Sequence, residues 1–296
     1  MKHERCYVIY ADDAYAEIAE MCAWSIRQFS QYPIYAYMLN SDRKLDVPYV
    51  ESIRWDCEIE ADSNTRYFKD ADNFYINRMN KSIYSMLIQR PLVVKHALEN
   101  FAETAAYVDC DSVATRYADN IFSFFKKDSQ HPAFVEGIYE YLSYGSRGVN
   151  GQEDPTDTLE YPACKLFGVD QSVREKYRQT GYFVAGQDCV CFLEEWHEMC
   201  VHSEVLLATW LYAPFNEETI LNVLLWKRKI FSGLPYIYVN GGIKSVSEVP
   251  KLGFTGEKRH IRSWLAIPAK EEELLFFHGE KNVDNMKNMI IKIASR

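Results

Sequence analysis

Asp109 and Asp111 close the run Tyr107-Val108-Asp109-Cys110-Asp111, directly after the apolar segment Thr104 to Val108. On an extended backbone, side chains two positions apart point to the same side. Two carboxylates placed in this way repel each other unless a proton or a cation lies between them. Ligands of parallel sheets bind at the carboxyl ends of the strands, and there a divalent cation is the economical solution. Such a cation can bridge the oxygens of a nucleotide diphosphate and act as a Lewis acid on a departing phosphate. By itself an Asp-x-Asp is a weak signal, because acids at strand ends also serve in turns and caps.

Two other clusters invite chemistry. Glu217 and Glu218 follow Asn216 at the start of a helical pattern that runs to about Trp226. Acids in a first helical turn are favoured by the macrodipole, which is reason enough for their presence. Cys189, Cys191, His197, Cys200 and His202 fall close together. Their spacing has Cys-x-Cys where zinc sites use Cys-x₂-Cys, and part of it lies on a helical pattern, so they are expected to be packing residues.

The elements that must position these groups begin with Cys6 to Ala11, a strand, followed by Asp12 and Asp13 with N-cap chemistry. Tyr15, Ile18, Ala19, Cys22, Ala23, Ile26 and Phe29 then recur at helical spacing, and Ile34 to Leu39 resumes as a strand. This βαβ unit predicts a mainly parallel sheet. Pro91 opens a second helix, Leu92 to Phe101, which leads into the strand before Asp109. Tyr182 to Ala185 and Leu274 to Phe277 read as further strands, and Phe192 to His202 as an amphipathic helix. Ser143 to Thr158, with Gly145, Gly148 and Gly151, reads as a long functional loop.

The 296 residues are 48% hydrophobic and 25% charged, and no linker or charge block divides them. One domain over residues 1–296 is expected. A net charge of −9 without a basic stripe argues against a nucleic-acid partner. No segment has the length to span a bilayer, and the polar start carries no signal-peptide pattern. The eight cysteines lie mostly in apolar runs, so a reducing, cytoplasmic setting is the expectation.

Taken together and in order, these segments resemble the glycogenin-like retaining glycosyltransferases, which include the bacterial galactosyltransferases of lipooligosaccharide synthesis. Tyr10-Ala11-Asp12-Asp13-Ala14-Tyr15 is similar to their opening nucleotide motif, and Arg90 through Asp111 to their helix, strand and metal-binding segment. Tyr182 to Gly186 resembles their donor-sugar strand and Glu217 to Asn222 their late acidic segment. His278-Gly279-Glu280-Lys281 resembles their C-terminal His-Gly-Lys motif.

The resemblance implies an α/β fold of the GT-A, Rossmann-like nucleotide-diphospho-sugar transferase type. Its nucleotide-binding half would span about 1–120 and its acceptor-binding half about 121–296. It implies a metal held by Asp109, Asp111 and His278, and such a mixed carboxylate and imidazole set suits Mn²⁺ somewhat better than Mg²⁺. Tyr10, Ala11, Asp13 and Tyr15 would hold the nucleoside, with Arg78 or Lys81 near the donor sugar and phosphate. Gly279 would let backbone approach a phosphate, and Lys281 would meet the diphosphate as a point charge. Cys110 lies within the cofactor segment. Glu218 falls beside the anomeric carbon, with Glu217 and Asp188 as the other candidate catalytic acids. A glutamate there can act as nucleophile, charge stabiliser or base, so retention is implied while inversion stays open. Tyr182 to Asp188 and the 143–158 loop would receive a glycan acceptor, with Tyr139, Tyr141, Tyr144 and Trp210 as aromatic candidates for its groove.

Several positions depart from the family pattern. Ala14 and Val184 stand where asparagines are usual, and the His278 motif is shorter. Two other classes compete. A sugar-nucleotide nucleotidyltransferase would carry a basic, Gly-rich loop where Ala11 to Ala14 is acidic, and a non-catalytic carbohydrate-binding scaffold would need no acidic pair.

Overall fold

The computed structural model describes residues 2–59, 67–69, 75–77, 81–136, 161–170, 178–206, 216–230, 239–241 and 274–295. The first βαβ unit forms as the periodicity predicts: β1 (His3–Ala11), α1 (Ala16–Arg27) and β2 (Ile34–Leu39). Asp12 caps the turn before α1, its carboxylate accepting from the Tyr15 amide at 3.0 Å. β3 (Val50–Trp55) extends the sheet, β4 (Tyr67–Lys69) and β5 (Tyr75–Asn77) form a separate hairpin, and α2 (Lys81–Leu87) leads to α3 (Arg90–Asn100). Next come β6 (Ala102–Val108), β7 (Ser112–Ala114), β8 (Ala133–Glu136), α4 (Tyr161–Leu166) and β9 (Arg178–Gly186). The chain continues through α5 (Val190–Cys200), α6 (Ser203–Leu206), α7 (Asn216–Lys227), β10 (Val239–Gly241), β11 (Phe276–His278) and α8 (Val283–Ala294).

The central sheet has six strands in the order β3-β2-β1-β6-β9-β8. The first four are parallel, whereas β9 runs antiparallel to β6 and β8 antiparallel to β9. Side chains of β1 alternate between the two faces, as the strand period requires. Tyr7, Ile9 and Ala11 join the core under α1 and α8, while Cys6 and Val8 join the core under α3, α5 and α7. Full burial of each large apolar side chain in these cores contributes about 1.5–3 kcal/mol. Among the described residues, no helix is long and apolar enough to cross a membrane.

The segment read as a strand at Leu274 to Phe277 contains the start of β11, which belongs to a three-stranded sheet, β10-β11-β7, outside the central one. Pairing of β11 with β7 sets His278 opposite Ser112, the residue after Asp111. The central sheet is mainly parallel, as expected, and its antiparallel strand β9 leaves the Asp109 edge and runs toward the start of β6.

Asn222 ties β9 to α7. Its side-chain oxygen accepts from the Arg178 amide at 2.7 Å, and its nitrogen donates to the Arg178 carbonyl at 2.8 Å and the Glu218 carbonyl at 2.7 Å. Asn222 is fully buried. Asn222→Leu removes these three buried bonds, each of which contributes about 0.5–1.5 kcal/mol net. The expected result is a loss of roughly 2–4 kcal/mol in urea unfolding, with an unchanged m-value.

Candidate metal and nucleotide site

Three side chains meet at the carboxyl edge of β6. The nearest donor atoms of Asp109, Asp111 and His278 all lie within 4.8 Å of one another. His278 Nε2 is 3.2 Å from Asp111 Oδ1 and 3.7 Å from Asp109 Oδ2. Asp109 follows the last residue of β6, and Asp111 precedes β7. His278 ends β11 and is brought in by the β7–β11 pairing. Gly279 follows at φ 87°, a left-handed conformation in which glycine carries no steric cost. The turn is closed by the amides of Gly279 and Glu280, which donate to the Asp111 carbonyl at 2.9 and 3.2 Å. The Gly279 N–H is therefore engaged by Asp111, and Gly279 turns the chain behind His278. The Tyr182 ring packs edge-on to the imidazole with centroids 5.3 Å apart, and its hydroxyl bonds Ser112 Oγ at 2.5 Å.

The donor set fits a divalent cation. Asp109 Oδ1 is occupied, accepting from the Tyr107 hydroxyl at 2.7 Å and Arg90 Nη2 at 3.1 Å. Its other oxygen faces the imidazole. One imidazole nitrogen with two carboxylate oxygens is a combination that Mn²⁺ and Mg²⁺ sites use.

Behind the cluster lies a buried charge network. The Arg90 side chain is 6% exposed and that of Glu217 3%. Arg90 Nη1 donates to Glu217 Oε1 at 2.5 Å and also to Thr180 Oγ1. The Arg90 guanidinium lies 5.2 Å from the Tyr107 ring centroid and 6.0 Å from that of Tyr10. Thr180 meets both glutamates, its hydroxyl 2.9 Å from Glu217 Oε1 and its amide 3.1 Å from Glu218 Oε2. Burial pushes the Glu217 carboxyl above its ordinary range, against the pull of Arg90 and Thr180. Among the described residues, none bonds the buried Glu217 Oε2 or Arg90 Nε.

The opening motif reaches the same edge. Asp13 Oδ1 accepts from Ser41 Oγ at 2.5 Å, and Ala11 is buried at the end of β1. Lys281 Nζ lies 3.3 Å from the Tyr15 hydroxyl, 5.4 Å from the Tyr15 ring centroid and 3.9 Å from Asp111 Oδ2. The two ends of the chain thus share one site. Cys110 is half-buried and packs against the core under α1. The thiol is pushed well up by burial and by the flanking aspartates.

Asp188 is a correction. Antiparallel pairing sets Gly186 opposite Thr104 while Tyr182 lies opposite Val108. Asp188 is therefore at the opposite edge of the sheet from Asp109, and the Tyr182 to Asp188 segment leads away from the cluster. Arg78 lies outside the described residues, as do Tyr139, Tyr141, Tyr144, Trp210 and the 143–158 loop. Lys81 opens α2, and of it only the backbone is described. Cys189, Cys191, His197, Cys200 and His202 form no metal-binding group among the described residues. His197 Nδ1 bonds the Ile88 carbonyl, and the Cys189 thiol meets the Ser129 carbonyl. Sequence reasoning missed Arg90 as the hub of the network, and missed Thr180 and Ser41. A buried arginine beside a helix-opening proline was the available signal.

Burial opposes protonation of His278, yet the Asp111 and Asp109 carboxylates prevail and raise its pKa. Burial would raise the Asp111 pKa, but His278 and Lys281 hold it below the ordinary value. Stability from a raised His278 is fully present below about pH 6.5 and is lost as pH rises through the higher folded value. Stability from Asp111 is present above about pH 4 and is lost on acidification. In EDTA, the unfolding midpoint is expected to fall as pH rises above neutrality, and His278→Ala should remove this slope. Affinity for Mn²⁺ should run the other way, tightening with pH as the competing proton leaves.

No protein-family model and no curated protein sequence matches the chain. Solved structures do. The apo structure of WbbM, a bifunctional glycosyltransferase, aligns at a TM-score of 0.55 and 14% identity, over 100% of this chain and 52% of its own. The chain thus spans about half the length of WbbM. The galactosyltransferase LgtC, in complex with donor and acceptor sugar analogues, aligns at a TM-score of 0.50 and 11% identity, over 98% of this chain and 95% of its own. An active-site mutant of LgtC aligns at 0.50 and 12%, with the same coverage. Identities this low speak to architecture alone. The chain has the GT-A glycosyltransferase fold and is a divergent representative of it.

Proposed function

We propose that the chain transfers a sugar from a nucleoside-diphosphate donor to a hydroxyl of a glycan acceptor, using a divalent cation held by Asp109, Asp111 and His278. The observation that carries this reading is the convergence of these three ligands, with Lys281 beside them, at the carboxyl edge of a GT-A sheet. When bound, the cation neutralises the diphosphate and supplies Lewis acidity to the departing phosphate. Lys281 adds a second positive charge, and Tyr15 presents a ring to the nucleoside. Asp13, oriented by Ser41, accepts from the base or ribose. Uridine diphosphate is the nucleotide that the sequence resemblance implies, with Mn²⁺ ahead of Mg²⁺.

Among the acids, Glu217 Oε1 is engaged by Arg90 and Thr180, so its part is to hold Arg90 against Asp109. We assign the face beside the anomeric carbon to Glu218, which the Thr180 amide orients. There a carboxylate stabilises the positive charge that develops as the glycosidic bond breaks. Retention is the outcome the sequence motifs imply. Residues 1–120 would hold the nucleoside and residues 121–296 the acceptor, with the metal bridging the two halves.

A ligand that binds only the native state raises the melting temperature by mass action. In a screen of nucleoside diphosphates and nucleotide sugars, one nucleoside diphosphate is expected to shift the melting temperature in Mn²⁺ and not in EDTA. Asp111→Ala should abolish the shift. Equal shifts in EDTA and Mn²⁺, or none with any nucleotide, contradict the reading.

A further inference from the structure

Gly181 stands in β9 directly beside the Asp109 carboxylate. Its carbonyl accepts from the Asp109 amide at 2.9 Å. A Cβ built on Gly181 would lie 2.7 Å from Asp109 Oδ2 and 3.8 Å from the His278 ring. The Gly181 backbone is not in the left-handed region, so its conformation suits any residue. Glycine inside a strand weakens it and commonly marks a close approach of another group. At this position the close approach is made by the carboxylate itself.

Asp109 cannot easily move aside. Oδ1 is anchored by Tyr107 and Arg90, and turning the carboxylate to clear a methyl group would take Oδ1 away from both donors. Moving β9 would break its ladder with β6. We infer that Gly181 is a positioning residue for the metal: its missing side chain is the space that lets Asp109 keep Oδ1 on Arg90 and Tyr107 while offering Oδ2 to the cation. The inference rests on the metal-dependent reading of the site. Arg90 and Tyr107 fix one carboxylate oxygen, and Gly181 clears the other.

The same strand carries a built-in control. A Cβ on Gly186 would also come within 2.7 Å of a neighbour, but that neighbour is the Phe125 ring, at the opposite end of β9. Steric cost to the strand is therefore common to both glycines, and only Gly181 touches a ligand.

The experiment titrates Mn²⁺ alone into the full chain and follows the free-ion signal by electron paramagnetic resonance. Unfolding is followed in EDTA in parallel. Gly181→Ala is expected to weaken Mn²⁺ binding by about tenfold or more, the scale on which groups that orient metal ligands act. Gly186→Ala should bind Mn²⁺ as the unmodified chain does. If Gly181→Ala does not fold, Gly181→Ala combined with Asp109→Ala should unfold at the same midpoint as Asp109→Ala alone, because the oxygen the methyl meets is gone from both. Unchanged Mn²⁺ affinity in Gly181→Ala overturns the inference and leaves the metal site standing, as does a double variant less stable than Asp109→Ala alone. Failure of the unmodified chain to bind Mn²⁺ overturns both.

Discussion

Four carboxylates crowd the junction of β6, β9 and α7, and their repulsion is the constraint around which this end of the molecule is built. Two like charges about 4 Å apart repel by roughly 4 kcal/mol at the effective dielectric of a protein surface, and by more inside. Cations answer from two sides. Arg90 enters from the core and bridges Asp109 to Glu217. His278 and Lys281 approach Asp111 from the solvent side. Arg90 compensates the inner acids permanently. The outer set instead raises the pKa of the imidazole, and under the proposed function a divalent cation would take the place of the proton held there.

Topology makes this arrangement possible. Parallel strands β1 and β6 deliver the Ala11–Tyr15 segment and the aspartates to one edge, and reversal of β9 brings Thr180 and Gly181 to the same edge from the far side. The small sheet then folds the C-terminal histidine back over Ser112. A buried ion pair adds little net stability over an apolar substitute, but removing one partner costs about 3–5 kcal/mol. The network is better understood as fixing the position of Asp109 than as strengthening the fold. Its Oδ1 is the anchored atom, and its Oδ2 faces His278.

Much of this was legible in the sequence, because local periodicity set the elements. The apolar, β-forming run Cys6 to Ala11, the helical spacing from Tyr15 and the apolar run before Asp109 each report their own element. The cluster of Asp109, Asp111 and His278 followed from motif order. The direction of β9 was not legible, since a strand's residues say nothing about which way its partner runs. That is why Asp188 was expected on the wrong edge. Arg90, Thr180 and Gly181 were missed for a related reason: each acts through residues distant in the chain. The Gly279 amide bonds the Asp111 carbonyl, a contact that joins two segments far apart in the chain.

The central claim is that this edge binds a nucleotide sugar through a divalent cation and activates its glycosidic bond. The most direct measurement is release of nucleoside diphosphate from a panel of nucleotide sugars, without acceptor, in Mn²⁺ and in EDTA, with Asp111→Ala alongside. The account predicts slow release from one donor in Mn²⁺, with none in EDTA and none in the variant. Release that persists in EDTA or in Asp111→Ala would contradict it, as would a complete absence of release from every donor in Mn²⁺.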